Sequence, residues 1–327
     1  MVVACAPGSP RRFYFGGRVA EKETGAPAED NIARGILLTI ISVMIFGVQD
    51  ALAKILVQDW SPFQIAMMRY WAFGLFSLYL VSRQAPLWQA FASKALGWQI
   101  ARGFLLMADV WLFAFAVKTV PLPELHAILM LYPLLVTLIA IPVLGEKVGP
   151  FRIGAVVVGF AGALLMVRPG GLPISWGVIF GILAAFAYSS YIVATRITAK
   201  ADSTATNMVF VGVIGMVCST AVGIFFWEPM GPRGLILVAL VMVTTITAHA
   251  LMMKALSYAP ASVVQPFNYL MLPWAILLSL VIFSHLIDFV SFLGALIIVG
   301  AGLIVWWRER KRKVRVSAAE TTPAEKA

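Results

Sequence analysis

The chain has 327 residues and a formal net charge of +10, with 61% apolar and only 12% charged residues. A water-soluble surface needs about a quarter of the residues charged, so a soluble fold, a disordered chain and a disulfide scaffold are all excluded. What remains is a chain dissolved mostly in lipid.

Residues 1–31 are rich in Gly, Pro and mixed charge and lack an apolar stretch of signal-peptide length, so a disordered N-terminal tail is expected there. Ten apolar segments of span length follow, at about 32–57, 62–82, 96–118, 122–143, 150–168, 174–197, 204–227, 234–255, 259–283 and 288–307. Breaks carry turn chemistry, as in Gln58-Asp59-Trp60-Ser61-Pro62 and Arg168-Pro169-Gly170-Gly171. Cys5 and Cys218 lie in a polar tail and in a span, so neither a disulfide nor a metal spacing is available.

Lysine and arginine set the orientation. Of 25 such residues, 20 fall in the two tails and in the connections after spans 2, 4, 6 and 8. Three, Lys118, Arg168 and Arg233, fall on the opposite side, and two, Lys54 and Arg69, lie inside spans. Both termini are therefore expected to be cytoplasmic in a bacterial inner membrane. The bases mark span ends and form no stripe on a soluble element, so nucleic acid is not an expected partner. The closing run Arg308-Glu309-Arg310-Lys311-Arg312-Lys313 either touches anionic lipid or only stops the last span.

The halves echo each other. Gly154 to Arg168 overlays Gly294 to Arg308 at an offset of 140, Gly35 to Lys54 overlays Gly177 to Arg196 at 142, and Lys118 overlays Lys254 at 136. Five spans per half is an odd number, so the halves are expected to sit upside down relative to each other. The expected fold is an all-α integral membrane protein of ten transmembrane helices, built as two inverted five-helix repeats around a central cavity. Its units are a tail at 1–31, a first repeat at 32–170, a second at 171–307 and a basic cytoplasmic tail at 308–327.

Several stretches carry a family resemblance: Phe46 to Lys54, Gln64 to Arg69, Leu122-Pro123-Glu124 to Pro133, Leu144-Gly145-Glu146, Ala259 to Ser262, and Pro266-Phe267-Asn268-Tyr269. With the five-plus-five layout, they make residues 32–307 resemble the drug/metabolite transporter superfamily, in its ten-helix EamA-type branch. The second half departs from the pattern, reading Ser284-His285 where a Gly-Glu is usual. The resemblance implies uniport or exchange of a small organic solute, often proton-linked, through a central cavity and without ATP. Amino acids and related metabolites are the first expectation. Adenosyl, vitamin or drug-like solutes are the alternative, because the span 1 motif resembles members that handle adenosyl and vitamin compounds.

Transporter sites sit where helices break at corresponding places in both halves. Pro133 in span 4 and Pro266 and Pro273 in span 9 mark such kinks. Charges inside lipid point to function. Asp50 and Lys54 share a helix face at i,i+4. With Arg69 and Asp109 they occupy similar depth in the outer half, and Glu124 and His126 open span 4. These six are candidates for gating or coupling. As neutral locks between helices, as proton carriers, or as solute contacts, they would read the same in sequence. Gln49, Trp111, Tyr132, Tyr188, Tyr191, His249, Gln265, Asn268 and Tyr269 are the solute-binding candidates. Flat aromatic faces suit an amphipathic or cationic solute.

Expected partners are a small solute and the bilayer. Small residues at Gly177 and Gly181 and along spans 5 and 10 permit close packing, within one chain or in a homodimer. No catalytic residue, metal or cofactor is expected. The phosphate-cradling GxxxxGK[ST] motif is absent, and His126, His249 and His285 lack metal-ligand spacing. An intramembrane enzyme and a non-transporting scaffold are the readings of another class.

Overall fold

The computed structural model describes residues 29–83, 86–145, 149–167, 174–259 and 261–320. Among them every regular element is helical. The order is α1 (Glu29–Asp59), α2 (Pro62–Ser82), α3 (Leu96–Thr119), α4a (Leu122–Leu129), α4b (Tyr132–Leu144), α5 (Pro150–Met166), α6 (Trp176–Ala201), α7 (Thr204–Gly223), α8 (Pro232–Tyr258), α9a (Ala261–Val264), α9b (Met271–Phe283) and α10 (Phe289–Glu320). A 3₁₀ segment, Gln265–Leu270, joins α9a to α9b, and a short helix, Leu87–Ala90, lies between α2 and α3. Nine of the described helical segments are long and apolar enough to span a bilayer, and a tenth, Ile153–Met166, is a shorter apolar one.

Local chemistry sets the ends. Proline opens α2, α5 and α8, where its missing N–H costs nothing. Serine side chains cap α6 and α7: Ser175 Oγ accepts from Val178 N at 3.4 Å and Ser203 Oγ from Thr206 N at 3.1 Å. Asp288 Oδ1 accepts from Val290 N and Ser291 N at the start of α10.

Two boundaries differ from expectation. Helix α1 begins at Glu29, so it takes in the last residues of the expected tail, while residues 1–28 lie outside the described part. Helix α10 continues to Glu320, so the basic run after Arg308 extends the last span as helix.

The packing has a two-fold pattern. The most extensive pairings are α3 with α6, α1 with α8, α5 with α10 and α2 with α7, and α4a meets α9b. If α1 corresponds to α6 and α3 to α8, the first two pairs exchange and the next two map onto themselves. Both self-mapped pairs cross at glycines. A Cβ on Gly74 would stand 3.0 Å from the Gly212 carbonyl oxygen, and one on Gly162 would stand 2.8 Å from that of Gly294. Gly177 packs against Thr119 and Val120, and Gly181 against Leu125. The small residues at Gly177 and Gly181 and the α5–α10 crossing are thus engaged within one chain.

The broken helices also match. Helices α4b and α9b are each 13 residues long and each ends on a left-handed residue, Gly145 at φ 67° and Ser284 at φ 52°. Ser284 is the one non-glycine residue with positive φ among the described residues. A side chain there crowds the following carbonyl. Ser284→Gly should therefore stabilise the protein by about 1 kcal/mol, read as a higher unfolding temperature in detergent. Unchanged or lowered stability would contradict this account of the cap.

Candidate functional site

Five helices line a partly open cavity of about 170 Å³ near their midpoints. Its wall is Phe46 of α1, Arg69, Tyr70 and Phe73 of α2, Leu106, Asp109 and Val110 of α3, Tyr188 of α6, and Thr245 and His249 of α8. The helical period explains the wall. Arg69 and Phe73 are one turn apart, as are Leu106 and Val110, and Thr245 and His249.

Arg69 and Asp109 are the charged members. They feel each other electrostatically, and Asp50 acts on both. Among the described residues, neither Arg69 nor Asp109 makes an ion pair within 4.0 Å or a hydrogen bond. A donor fork and an acceptor thus face one space without partners among the described residues. Both are half-buried and open on the cavity.

His249 is held in one orientation. Its Nδ1 lies 2.8 Å from the Thr245 carbonyl oxygen, which can only accept. Nδ1 therefore carries the proton, and the neutral ring offers Nε2 as an acceptor. Phe46 packs edge-on at 5.0 Å and Phe73 lies tilted at 4.6 Å, fixing the ring between them.

Gln49 does not line this cavity. It is fully buried and ties α1 to α8. Thr245 Oγ1 has one proton for two acceptors, Gln49 Oε1 at 2.9 Å and Val241 O at 2.7 Å. Turning the Gln49 amide over resolves this: Nε2 donates to Thr245, and Thr245 donates to Val241 O. The same turn partners Gln49 Nε2, which is otherwise buried and unpaired.

Lys54 departs from the expected pairing with Asp50. Its Nζ donates to the carbonyl oxygens of Val117 at 2.7 Å and Val120 at 2.8 Å. Those carbonyls close α3, whose last turn has no helical donors and carries partial negative charge. Gln58 Nε2 adds a third bond there, to Lys118 O at 3.1 Å. Lys54 is a cap joining α1 to α3. Asp50 Oδ2 instead stands 3.6 Å from His126 Nε2. Glu124 Oε1 meets His285 Nε2 at 3.0 Å.

Residues 33–168 match the EamA-like transporter family, and residues 175–307 match it again. The chain belongs to that family. It is a multi-pass membrane protein of a small-molecule transporter family. A riboflavin transporter of Vibrio cholerae is 30% identical over 69% of this chain and 76% of its own. A riboflavin transporter of Rhizobium johnstonii is 27% identical over 85% and 93%. An S-adenosylmethionine uptake transporter of Rickettsia prowazekii is 22% identical over 85% and 94%. A solved crystal structure shares the fold at TM-score 0.60 and 17% identity, covering 85% of this chain and 98% of that one.

Within this family fold the other sequence candidates spread out. Tyr188 and His249 reach the described cavity. Tyr132 sits edge-on to Tyr188 at 5.3 Å and is hydrogen-bonded to Asn268. Tyr191 lies beside Tyr188 at 5.9 Å. Tyr269 packs on Gly302 of α10, and Trp111 on Phe63. The Gln265 side chain lies outside the described residues. Pro133 is the second residue of α4b, Pro266 the second of the 3₁₀ segment, and Pro273 the third of α9b. Phe46, Tyr70, Phe73 and Thr245 were not singled out by sequence. The signal available for Phe73 was its place one turn after Arg69, and for Phe46 its place one turn before Asp50.

A second polar centre closes the end of the bundle where α2 connects to α3. Asp202 accepts from Ser93 Oγ at 2.6 Å, Lys94 N at 2.7 Å and Gln99 Nε2 at 2.7 Å. Arg102, 2% exposed, donates to Asn207 Oδ1 at 3.0 Å and also to the Asn207 carbonyl. Partial burial alone would raise the Asp202 carboxyl, but these hydrogen bonds and the Lys94 charge outweigh it and hold it below the ordinary 3.8. A depressed carboxyl stabilises the fold above its ordinary value and loses that contribution as pH falls through the folded one. Unfolding temperature should therefore drop on acidification below about pH 4 less steeply in Asp202→Asn than in the unmodified protein. Parallel acid profiles would show that the carboxylate is not what ties this end together.

Proposed function

We propose that this protein is a secondary transporter of a flat heteroaromatic metabolite, with a flavin-type vitamin as the leading class. It would work by alternating access between two inverted repeats in a bacterial inner membrane, with both termini cytoplasmic. The solute would sit in the cavity between Arg69, Asp109 and His249. One observation carries the reading: a guanidinium and a carboxylate, unpartnered by the described residues, face a mid-membrane space walled by Phe46, Phe73, Tyr70 and Tyr188. Rings give the face of a heteroaromatic something to stack on. Arg69 supplies donors and His249 Nε2 an acceptor for its polar edge.

The named relatives favour the vitamin or adenosyl reading over the amino-acid one, since they carry riboflavin and S-adenosylmethionine. Two acids, Asp50 and Asp109, near one base, Arg69, also leave the region unsuited to a multiply charged anion.

Purified protein in proteoliposomes should exchange labelled riboflavin across the membrane without ATP. Arg69→Ala should weaken riboflavin about 10- to 100-fold, the effect of losing one charged hydrogen bond of about 1.5–3 kcal/mol. Lys200→Ala, at an exposed helix end, should leave it unchanged. Exchange of S-adenosylmethionine but not riboflavin would move the assignment to the adenosyl class. Exchange of neither would reject the reading.

A further inference from the structure

The cavity lies between two helix pairs. Phe46, Thr245 and His249 come from α1 and α8, and Asp109 and Tyr188 from α3 and α6. Each pair is tied within itself. Ser42 Oγ of α1 donates to Ala248 O of α8 at 2.8 Å, and Arg102 Nη1 of α3 donates to Thr198 Oγ1 of α6 at 3.4 Å. The bonds of Lys54 and Gln58 are of another kind, because they cross from one pair to the other. They sit at the end of the bundle where α1 meets α2. One buried cluster fills the same end with residues of all four helices: Leu56 and Val57, Ala116 and Val117, Val178, and Val241. The cavity is thus shut on this side, and a solute that leaves that way must part what Lys54 joins.

The two-fold relation says what replaces the tie. Helix α1 corresponds to α6, and α3 to α8. Lys54 overlays Arg196, and each stands five residues before its helix ends, at Asp59 and at Ala201. The ends of α3 and α8 correspond as well. Val120 N bonds Ala116 O at 2.9 Å, and Ala259 N bonds Ala255 O at 3.0 Å. Both Val120 and Ala259 are extended, at ψ 135° and 145°, and both precede a proline, Pro121 and Pro260. Carbonyls past that last bond have no donor from their own helix. Lys54 meets that need for α3. Arg196, a base at the matching place on α6, is exposed in this state.

We propose that Lys54 and Arg196 are alternating latches. Lys54 holds the end of α3 in the state seen here, and Arg196 holds the end of α8 when the α1–α2 side is open. When one inverted repeat rocks against the other, an arrangement held by one repeat at one end becomes available to the other repeat at the opposite end. In both states a base then sits on the negative terminus of a helix of the other pair. One latch closes as the other lets go, so the hydrogen bonds lost at one end are offset at the other and the two states stay close in energy. This inference rests on the alternating-access reading above.

Spin labels at the helix ends read the two sides in proteoliposomes, in full-length protein carrying Cys5→Ser and Cys218→Ser. One labelled pair, Asp59→Cys with Lys118→Cys, spans the ends of α1 and α3. The other, Lys200→Cys with Ser257→Cys, spans the ends of α6 and α8. All four sites are exposed. Each pair should show a short and a long distance. Lys54→Met should lower the short-to-long ratio of the first pair about 10-fold, the effect of one charged hydrogen bond, and raise that of the second by a similar factor. Arg196→Met should do the reverse, and Lys54→Arg should stay near the unmodified values. If Lys54→Met moves the first pair alone, Lys54 is a local cap and the latches are overturned. Arg196→Met leaving both pairs unmoved overturns them too; that site is exposed, so it decides the matter even if Lys54→Met does not fold. Counterflow of riboflavin and S-adenosylmethionine in the same vesicles tests transport separately. Counterflow without reciprocal shifts overturns the latches and leaves the transporter. Reciprocal shifts with counterflow of neither probe reject the solute class and leave the latches.

Discussion

A polar atom within a bilayer has no water to turn to, so each must find a partner in the protein or wait for one from outside. That constraint organises this molecule. Where polarity ties helices together, each group meets several partners: Lys54 closes the end of α3, Gln64 exchanges two hydrogen bonds with the Glu228 backbone, and Asp202 collects three donors. Unmet polar atoms are spread through the bundle, at Tyr70, Trp111, Gln99 and Arg102 as well as at His126 and Glu124. Arg69 and Asp109 are set apart by opening on the cavity.

The two halves share a scaffold but not a charge distribution. Helices α4b and α9b have the same length and the same left-handed ending, and the helix pairs obey a two-fold pattern. Yet Arg69, Asp109 and Asp50 all come from the first half. The second half answers with His249, Thr245 and Tyr188. A near-symmetric frame therefore draws both charged groups and most of the aromatic rings of the cavity from the first half, and Tyr188, Thr245 and His249 from the second.

The spans were legible because lipid demands long apolar segments, and that signal is local. The family could be read from short stretches such as Phe46 to Lys54, and the breaks in the fourth and ninth spans from Pro133 and Pro266. Partner choice was far less legible. Asp50 and Lys54 look like a pair in sequence, but the carbonyls that bind Lys54 come from residues 63 and 66 positions away. His285 first reads as a departure from a Gly-Glu motif, and its partner Glu124 is 161 residues away. Arg102 reads as a positive mark on a connection, although its guanidinium is buried against Asn207. In each case a helix terminus or a crossing chain supplies a partner that no periodicity encodes.

The crossings at Gly74 with Gly212 and Gly162 with Gly294 bear on motion as well as fit. Backbone meets backbone there, with Met216 and Ser77 packed beside the first contact and Ile297 and Met166 beside the second. A change of crossing angle at either point would press on those side chains, so each crossing is held as well as close. Both belong to pairs that map onto themselves under the two-fold relation, so a tilt of one half against the other loads the two contacts alike.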